Sequence, residues 1–172
     1  MKKATIATAV ILFFSSYASV ARAGSSPAGS VPFPELAFLA GEWEARGTGR
    51  PGESVGHMKF FSDLNLRVLV RRNESISPAG RHEDLTVIYK DPTRRLRADF
   101  YDSEGHVIRY TVTAAENPAR AVFLSEPISN QPSFRYSYTL NADGTLALMF
   151  EIAPPGTTNF ATYLSGTAKR AQ

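Results

Sequence analysis

Cysteine is absent from the sequence, and this absence limits how the domain can be stabilised. None of the 172 residues is cysteine, and only three are histidine. Disulfide bonds and metal sites built on thiolates are therefore excluded. The apolar core of the domain must hold without covalent cross-links.

The one long apolar run lies at the start of the chain. Lys2 and Lys3 precede a largely apolar segment over 4–14, and 21–23 (Ala-Arg-Ala) has the small-x-small pattern of a signal-peptidase site. Serines interrupt the run from Ser15 onwards, so it is shorter than the ~20 residues that a membrane span needs. We predict a signal peptide over residues 1–23, cleaved after Ala23, and a periplasmic or secreted protein.

Cleavage at this site also removes the excess of positive charge. The whole chain has 19 Lys and Arg against 16 Asp and Glu, a formal net charge of +3. Residues 1–23 carry Lys2, Lys3 and Arg22 and no acid, so the mature chain has a formal net charge of 0. We therefore expect no nucleic-acid partner. No cysteine follows the site to carry a lipid anchor, so we expect no membrane association after cleavage.

One domain is predicted behind a short leader. Residues 24–31 are small and polar, which predicts a flexible leader. Residues 32–172 contain no internal repeat and are numerous enough for one domain with its own core. The chain is expected to be a monomer or a weak dimer.

The stretch from Pro32 to Gly49 contains the change of pattern that organises the domain. Leu36 and Leu39 recur at helical spacing, and Gly41 is suited to end a helix. From Trp43 onwards, apolar and polar residues alternate, which is the period of a strand. The sequence therefore predicts a short helix that leads directly into a first strand.

Alternating segments separated by turn residues fill the rest of the chain. Short connections demand antiparallel neighbours, and one meander without a second helix layer should close on itself to remove its edges. A β-sandwich is the alternative, but the meander order and the opening helix favour an all-β antiparallel barrel of about ten strands. After the first, the predicted strands lie at 55–62, 66–76, 85–89, 96–100, 108–113, 122–124, 134–140, 146–150 and 160–169.

Several segments resemble a known group of proteins. The segment 38–47 resembles the opening of nitrobindin-like and other lipocalin-like bacterial domains, which carry Gly-x-Trp-x-Gly-x-Gly. Gly41, Trp43 and Gly47 match this pattern, and Ala45 replaces its middle glycine. The resemblance implies a calycin-type β-barrel in which Trp43 packs against the opening helix. Four later blocks are similar to a family of exported lipocalin-like bacterial proteins, at 82–89, 101–110, 150–156 and 166–168.

The same resemblance raises the question of haem. Nitrobindins bind haem through a histidine on a strand near the C-terminus, but residues 160–169 contain none. The three histidines, His57, His82 and His106, all lie in the first two-thirds of the chain. Haem is therefore not expected, and no other cofactor is predicted.

Arginine and tyrosine residues within strands are the candidates for ligand binding. Arg72 has the same parity as Val68 and Val70, and if that face is inward its guanidinium would need a carboxylate or an anionic ligand. Fatty-acid-binding barrels resemble this arrangement. The alternative places every strand arginine, Arg71 included, on the outer face. The other candidates for lining the cavity are His57, Tyr89, Tyr110, Tyr136 and Tyr138.

Residues 82–84 (His-Glu-Asp) form the densest cluster of possible metal ligands. Adjacent strand residues point to opposite faces, so His82 and Asp84 can share one ion but Glu83 cannot. Two ligands are fewer than a zinc site requires, so no metal site is predicted. The acids near the 102–105 turn are expected to be solvated.

Three functional hypotheses remain open. The leading one is a barrel that binds a small hydrophobic or amphipathic molecule in its interior. The second is a small cavity enzyme, an isomerase, cyclase or hydrolase, although no residue is nominated as catalytic. The third is a structural or interaction module whose barrel is filled by its own side chains.

Overall fold

The computed structural model describes residues 31–172, which form one closed antiparallel β-barrel. The predicted signal peptide and all but the last residue of the predicted leader lie outside the described residues. The opening helix is a 3₁₀ helix at Pro34–Leu39. The strands are β1 (Gly41–Gly49), β2 (Ser54–Asp63), β3 (Val68–Ser77), β4 (Gly80–Lys90), β5 (Leu96–Asp102), β6 (Val107–Glu116), β7 (Ala119–Ser125), β8 (Ser133–Leu140), β9 (Leu146–Ala153) and β10 (Ala161–Arg170).

Every strand pairs with its neighbours in sequence, and β1 also pairs with β10 to close the ring. Trp43 lies opposite Met58 on β2 and opposite Arg170 on β10, so β1 is hydrogen-bonded on both sides. Closure leaves no unpaired edge strand within residues 31–172. The prediction of an all-β meander barrel with about ten strands is confirmed, and the sandwich alternative is excluded.

The opening helix and Trp43 close one end of the barrel. Phe33, Leu36 and Leu39 are buried in the same core cluster as Trp43, which is itself fully buried. The Trp43 Nε1–H donates a hydrogen bond of 2.8 Å to the carbonyl oxygen of Leu39, the last residue of the helix. Trp43 therefore fixes the helix across the barrel end, which confirms the packing role expected from the resemblance.

Two charged side chains tie the helix to strand ends at the same side. Arg170 Nη1 donates to the carbonyl oxygen of Ala40 at 2.7 Å, and its guanidinium lies 4.4 Å from the centre of the Trp43 ring. Lys90 Nζ lies 3.2 Å from Glu35 Oε1, within the helix. The C-terminal ends of β4 and β10 therefore both hold the helix in place.

Glycines allow β1 and β10 to approach where the ring closes. Gly47 and Gly166 are directly opposite one another. A Cβ on Gly166 would lie 2.6 Å from the carbonyl oxygen of Arg46, and one on Gly47 would lie 3.1 Å from that of Ser165. A larger side chain would force the closing strands apart, which explains Gly47 of the Gly-x-Trp pattern.

One predicted strand begins later than expected. Leu64, Asn65 and Leu66 have φ angles of 48°, 54° and 60°, in the left-handed region that non-glycine residues rarely adopt. A turn over these residues separates β2 from β3, and β3 begins at Val68 rather than Leu66. Alternation alone could not reveal this turn, because its two leucines continue the apolar pattern.

Within residues 31–172, no helix has the length and hydropathy needed to cross a membrane.

The hydrogen bond from Trp43 gives a first prediction. Trp43→Phe removes the indole N–H and leaves the buried carbonyl of Leu39 without its partner, so we expect a loss of about 1–3 kcal/mol in the free energy of unfolding. Urea unfolding followed by circular dichroism measures it. Met149→Ala on the exposed outer face is the control, expected to change stability by less than about 0.5 kcal/mol. An equal effect in the two variants would contradict this role of Trp43.

The β4–β5 turn gives a prediction of pH dependence. Asp91 Oδ1 accepts hydrogen bonds from the Thr93 hydroxyl at 2.7 Å and the Arg95 amide at 3.0 Å, and Oδ2 accepts from Arg97 Nε at 3.2 Å. These hydrogen bonds lower the pKa of Asp91 to about 2, and the bond from the Thr93 hydroxyl has the largest effect. The ionised carboxylate therefore stabilises the fold above about pH 4, and this contribution is lost as the pH falls towards 2.

We expect Asp91→Asn to lower the urea midpoint near pH 6 and to have little effect near pH 2. The urea midpoint of both proteins, measured from pH 2 to pH 7, tests this. Glu44→Gln is the control, because Glu44 is exposed and has no ion pair within residues 31–172. A constant difference between wild type and Asp91→Asn over the whole pH range would rule out the proposed linkage.

Candidate functional site

The interior beyond the closed end is a cavity of about 980 Å³. It opens at the end of the barrel away from the helix, where Ser54, Ser77 and Ser125 lie at the ends of three strands. Trp43 and Leu36, which fill the closed end, do not border it. Its volume is at the upper end of the range of about 300–1,000 Å³ found for small-molecule sites. The barrel is therefore hollow, which argues against the filled-barrel hypothesis.

Aromatic side chains form much of the cavity wall. Neighbouring rings have centroids 4.8–6.2 Å apart, and most of the pairs meet edge to face or tilted. These contacts hold the rings in place and leave an apolar surface towards the cavity. The rings belong to Phe60, Tyr110, Phe123, Phe134, Tyr136, Tyr138, Phe150 and Tyr163.

A buried ion pair interrupts this apolar wall. Arg71 on β3 is 7% exposed and Asp84 on β4 is 8% exposed. Arg71 Nη1 donates to Asp84 Oδ1 at 2.7 Å, and Asn73 Nδ2 donates to Asp84 Oδ2 at 2.8 Å. Burial acts to lower the pKa of Arg71, but the Asp84 carboxylate and the neighbouring tyrosines together raise that pKa above its ordinary value. The guanidinium in the wall is therefore charged.

One donor of this guanidinium is left without a protein partner. Arg71 Nε is buried and has no hydrogen-bond acceptor within the part of the chain that the structure describes. The guanidinium carbon lies 5.4 Å from the centre of the Tyr136 ring. A buried unpaired N–H is unfavourable, so a ligand oxygen that accepts from it would gain a strong hydrogen bond.

The phenol groups near Arg71 stay protonated. Burial raises the pKa of Tyr110, Tyr136 and Tyr138, and the nearby guanidinium only partly offsets this effect. The rings of Tyr136 and Tyr138 lie side by side, with centroids 4.8 Å apart. The polar side of the cavity thus presents neutral hydroxyl groups, which can donate or accept, beside one paired guanidinium.

Acidic and imidazole side chains meet at the open end of the cavity. His82 Nδ1 lies 2.9 Å from Glu104 Oε2, and its Nε2 lies 3.4 Å from Asp84 Oδ2. His106 Nδ1 lies 2.8 Å from Asp102 Oδ2. The hydrogen bond with Asp84 raises the pKa of His82, against the effect of partial burial. Burial acts to raise the pKa of Asp102, but hydrogen bonds from the backbone and ring of His106 lower it.

Three of the predicted ligand-binding residues, Tyr110, Tyr136 and Tyr138, line the cavity, and the others do not. Arg72 is exposed on the outer face of β3, so the prediction of an inward Arg72 is wrong. His57 is on the outside beside Glu42, at 3.5 Å, in a separate surface hollow of about 480 Å³.

Tyr89 also lies outside the cavity. Burial and its contact with Asp99 raise the pKa of Tyr89. The structure places it opposite Arg97, on the outer face of β4 and β5. The prediction that Tyr89 lines the cavity is therefore wrong as well.

These errors share one cause, which is the choice of the inward face on β3 and β4. The predicted alternation is correct, but its more apolar face is the outer one. Phe61, Val70 and Val87 are register partners and pack as an apolar row outside the barrel. The inward face of the same strands carries Arg71 and Asp84. The signal in the sequence was a pair of opposite charges, Arg71 and Asp84, on segments that the turn near 77–80 joins.

Residues 52–56 (Gly-Glu-Ser-Val-Gly) match the Gly-x-Ser-x-Gly spacing of the nucleophile elbow, a match that sequence reasoning had missed. An elbow requires a strand–turn–helix context. Ser54 instead begins β2 in the hairpin that follows β1. The match therefore gives no support for a catalytic serine.

Comparison with known proteins supports the fold alone. No protein-family model and no curated protein sequence matches the chain. The crystal structure of Rv2717c from M. tuberculosis is similar with a TM-score of 0.57 and 15% identity, over 83% of this chain and 100% of that chain. A de novo designed fluorescence-activating β-barrel matches with a TM-score of 0.40 and 16% identity, over 78% of this chain and 94% of that chain. The likeness to Rv2717c indicates a shared barrel architecture.

The buried ion pair gives a prediction for stability. Arg71→Met leaves the Asp84 carboxylate buried without its counter-charge, so we expect a loss of about 3–5 kcal/mol in the free energy of unfolding. The double variant Arg71→Met/Asp84→Leu should lose less than Arg71→Met alone, because no buried charge remains unpaired. Urea unfolding of the two variants makes the comparison.

Arg81→Gln is the matched control for this prediction. Arg81 pairs with Glu74 and Glu83 on the exposed outer face, so its removal should cost less than about 1 kcal/mol. A double variant less stable than Arg71→Met would show that the pair is held by something other than charge compensation.

Proposed function

We propose that the barrel binds one small amphipathic molecule, with its apolar part between the aromatic rings and its polar group at Arg71. The observation that carries this proposal is the unpaired Nε of a buried arginine in the wall of a cavity of about 980 Å³. A pocket with an apolar wall and few convergent polar groups is the usual form of a small-molecule site.

The apolar part of the ligand would be held by burial against the rings. Phe134 and Phe150 stack with centroids 6.0 Å apart, and both line the cavity. Burying one aromatic side chain against a ligand contributes about 1.5–3 kcal/mol. A cavity of this volume accommodates a ligand of roughly ten to twenty carbon and oxygen atoms.

Charge balance favours a neutral polar group over a carboxylate. Arg71 is already neutralised by Asp84 at 2.7 Å, so a ligand carboxylate would bring a second negative charge next to a buried one. A carbonyl or hydroxyl oxygen would accept the Nε hydrogen bond without this repulsion. Hydroxyl groups of Tyr110 and Tyr136 are available to complete its hydrogen bonds.

The open end offers a route for the ligand. Val107 and Ile128 border the cavity, and their side chains are 59% and 66% exposed. Exposed apolar residues at the rim of an apolar cavity lower the cost of moving an apolar molecule out of water. The signal-peptide pattern and the resemblance to exported lipocalin-like proteins support a periplasmic or secreted binding protein.

A cavity enzyme is the second candidate. The observation in its favour is that His82 faces the cavity beside the buried Asp84. A histidine oriented by a carboxylate is a common general acid or base. Turnover of a bound compound, abolished in His82→Gln, would support this candidate over simple binding.

Native mass spectrometry is the test of the binding proposal. The protein would be purified from the periplasm of a Gram-negative host and compared under native and denaturing conditions. We expect a polypeptide that starts at Gly24 and a discrete extra mass that is lost on denaturation. A chain that retains residues 1–23 would contradict export, and that result is independent of the outcome for binding.

Defined probes test the chemistry of the ligand. Dodecanol, methyl dodecanoate and dodecanoate share a chain length and differ in polar group, so displacement of the fluorescent probe N-phenyl-1-naphthylamine should rank dodecanoate weakest. Phe150→Ala should weaken binding of the best probe about 10-fold or more. Phe160→Ala is the matched control, since Phe160 lies outside the cavity beneath Arg135. Probe binding that is absent, or equal in both variants, would overturn the proposal.

A further inference from the structure

The open end of the barrel brings two aspartates face to face. Asp84 on β4 and Asp102 on β5 are register partners, and both border the cavity. Like charges directly opposite one another on neighbouring strands are destabilising unless other groups compensate them. Glu104 in the following turn adds a third carboxylate to the same place. The fold must therefore supply positive charge here.

The permanently charged side chains of the protein supply only part of the positive charge that this group of carboxylates requires. Arg71 is the single guanidinium bonded to this group within residues 31–172, through Asp84. Asp84, Asp102, Glu104 and Arg71 together carry a formal charge of −2, and the other partners of these carboxylates are His82 and His106. One divalent cation balances this charge.

The donor atoms are close enough to share one ion. One ligand atom each from His82, Asp102 and Glu104 lies within 4.8 Å of the other two. At metal–ligand distances of about 2.0–2.2 Å, neighbouring donors lie about 3–3.5 Å apart, so a contraction of up to about 1.5 Å is needed. Glu104 is an exposed turn residue, and its side chain has room to make this adjustment.

The surroundings hold the donors as a metal site requires. His82 points Nδ1 towards Glu104 at 2.9 Å and Nε2 towards Asp84 Oδ2 at 3.4 Å. A ligating histidine usually donates its second ring N–H to a carboxylate in this way. Asp84 is itself fixed by Arg71 and Asn73, at 2.7 and 2.8 Å.

Asp102 is fixed by the turn that follows it. Its Oδ1 accepts hydrogen bonds from the backbone amides of Glu104 at 3.1 Å and His106 at 2.8 Å. Its Oδ2 lies 2.8 Å from His106 Nδ1, and a carboxylate oxygen can bind a metal while it accepts this bond. His82 and Asp102 are therefore each oriented by a neighbour that is not itself a ligand.

We propose that His82, Asp102 and Glu104 bind one divalent first-row transition metal ion, such as Zn²⁺ or Mn²⁺, at the mouth of the cavity. One imidazole and two carboxylates suit these ions better than Ca²⁺, whose ligands are oxygens. Three protein ligands leave coordination positions for water or for a polar group in the cavity. The proposal does not depend on the identity of the cavity ligand.

Isothermal titration calorimetry tests the site on tag-free protein. The protein would be treated with EDTA, transferred to chelator-free buffer at pH 7.5 and titrated with ZnCl₂ and with MnCl₂. We expect one ion per chain for at least one of the two metals. His82→Gln and Glu104→Gln should each weaken binding more than 10-fold, and Asp84→Asn about 10-fold through the lost orientation of His82.

His57→Gln is the matched control. His57 is a half-exposed histidine beside Glu42 on the outer face, so its loss should leave the affinity unchanged. Circular dichroism melting of each variant establishes that it is folded, and Glu104→Gln changes only an exposed turn residue if His82→Gln proves unstable. X-ray absorption at the zinc edge should show one imidazole in a shell of oxygens.

Three outcomes would overturn the proposal. The first is the absence of saturable binding by either metal. The second is binding that His57→Gln weakens as much as His82→Gln does. The third is an all-oxygen shell without imidazole. The dodecanol and methyl dodecanoate measurements are made without metal, so failure of the metal site and failure of the cavity proposal are distinguishable.

Discussion

Pairing between β1 and β10 closes the ring, and the shape of the interior follows from this closure. Ten strands, each paired with a neighbour on both sides, enclose an interior wider than that of the eight-stranded barrels that side chains alone fill. A helix of six residues and Trp43 fill one end of that interior. No second element fills the other end among the described residues, so a cavity remains there. The cavity therefore exists because ten strands enclose a wide interior and only one short helix closes an end of it.

The cavity wall combines packed aromatic rings with one buried ion pair, an arrangement that suits ligand binding. Aromatic rings in contact with one another give a stable apolar surface, while Arg71 and Asp84 place one polar point on it. Because both charges lie on the paired strands β3 and β4 rather than on loops, their positions are set by the sheet. The same two strands continue to the rim, where Asp84 also orients His82. One carboxylate therefore connects the polar point of the cavity to the cluster at its mouth.

Local sequence pattern was sufficient to predict the helix and the strands, but it was not sufficient to predict the candidate site. Period, turn residues and the Gly-x-Trp segment predicted the helix, the strands and the role of Trp43, since these depend on neighbours along the chain. The inward face of β3 was predicted wrongly because a wide cavity tolerates polar residues inside while Phe61, Val70 and Val87 pack outside. The cluster at the rim was missed because Glu104 lies 22 residues after His82, and the two meet only through the pairing of β4 with β5. Local pattern contains no information on the register between β4 and β5.

The secondary structure, the antiparallel order of the strands and the residue types available for chemistry all follow from local sequence pattern. Period and turn signals act over a few residues, and short connections leave antiparallel pairing as the only choice. Which face of each strand is inward, and which charges meet, depends instead on how the whole barrel assembles. A strand's two faces differ by one residue of register, and that choice is made by the pairing of all ten strands together. Arg71 inside and Arg72 outside are the outcome of that collective choice.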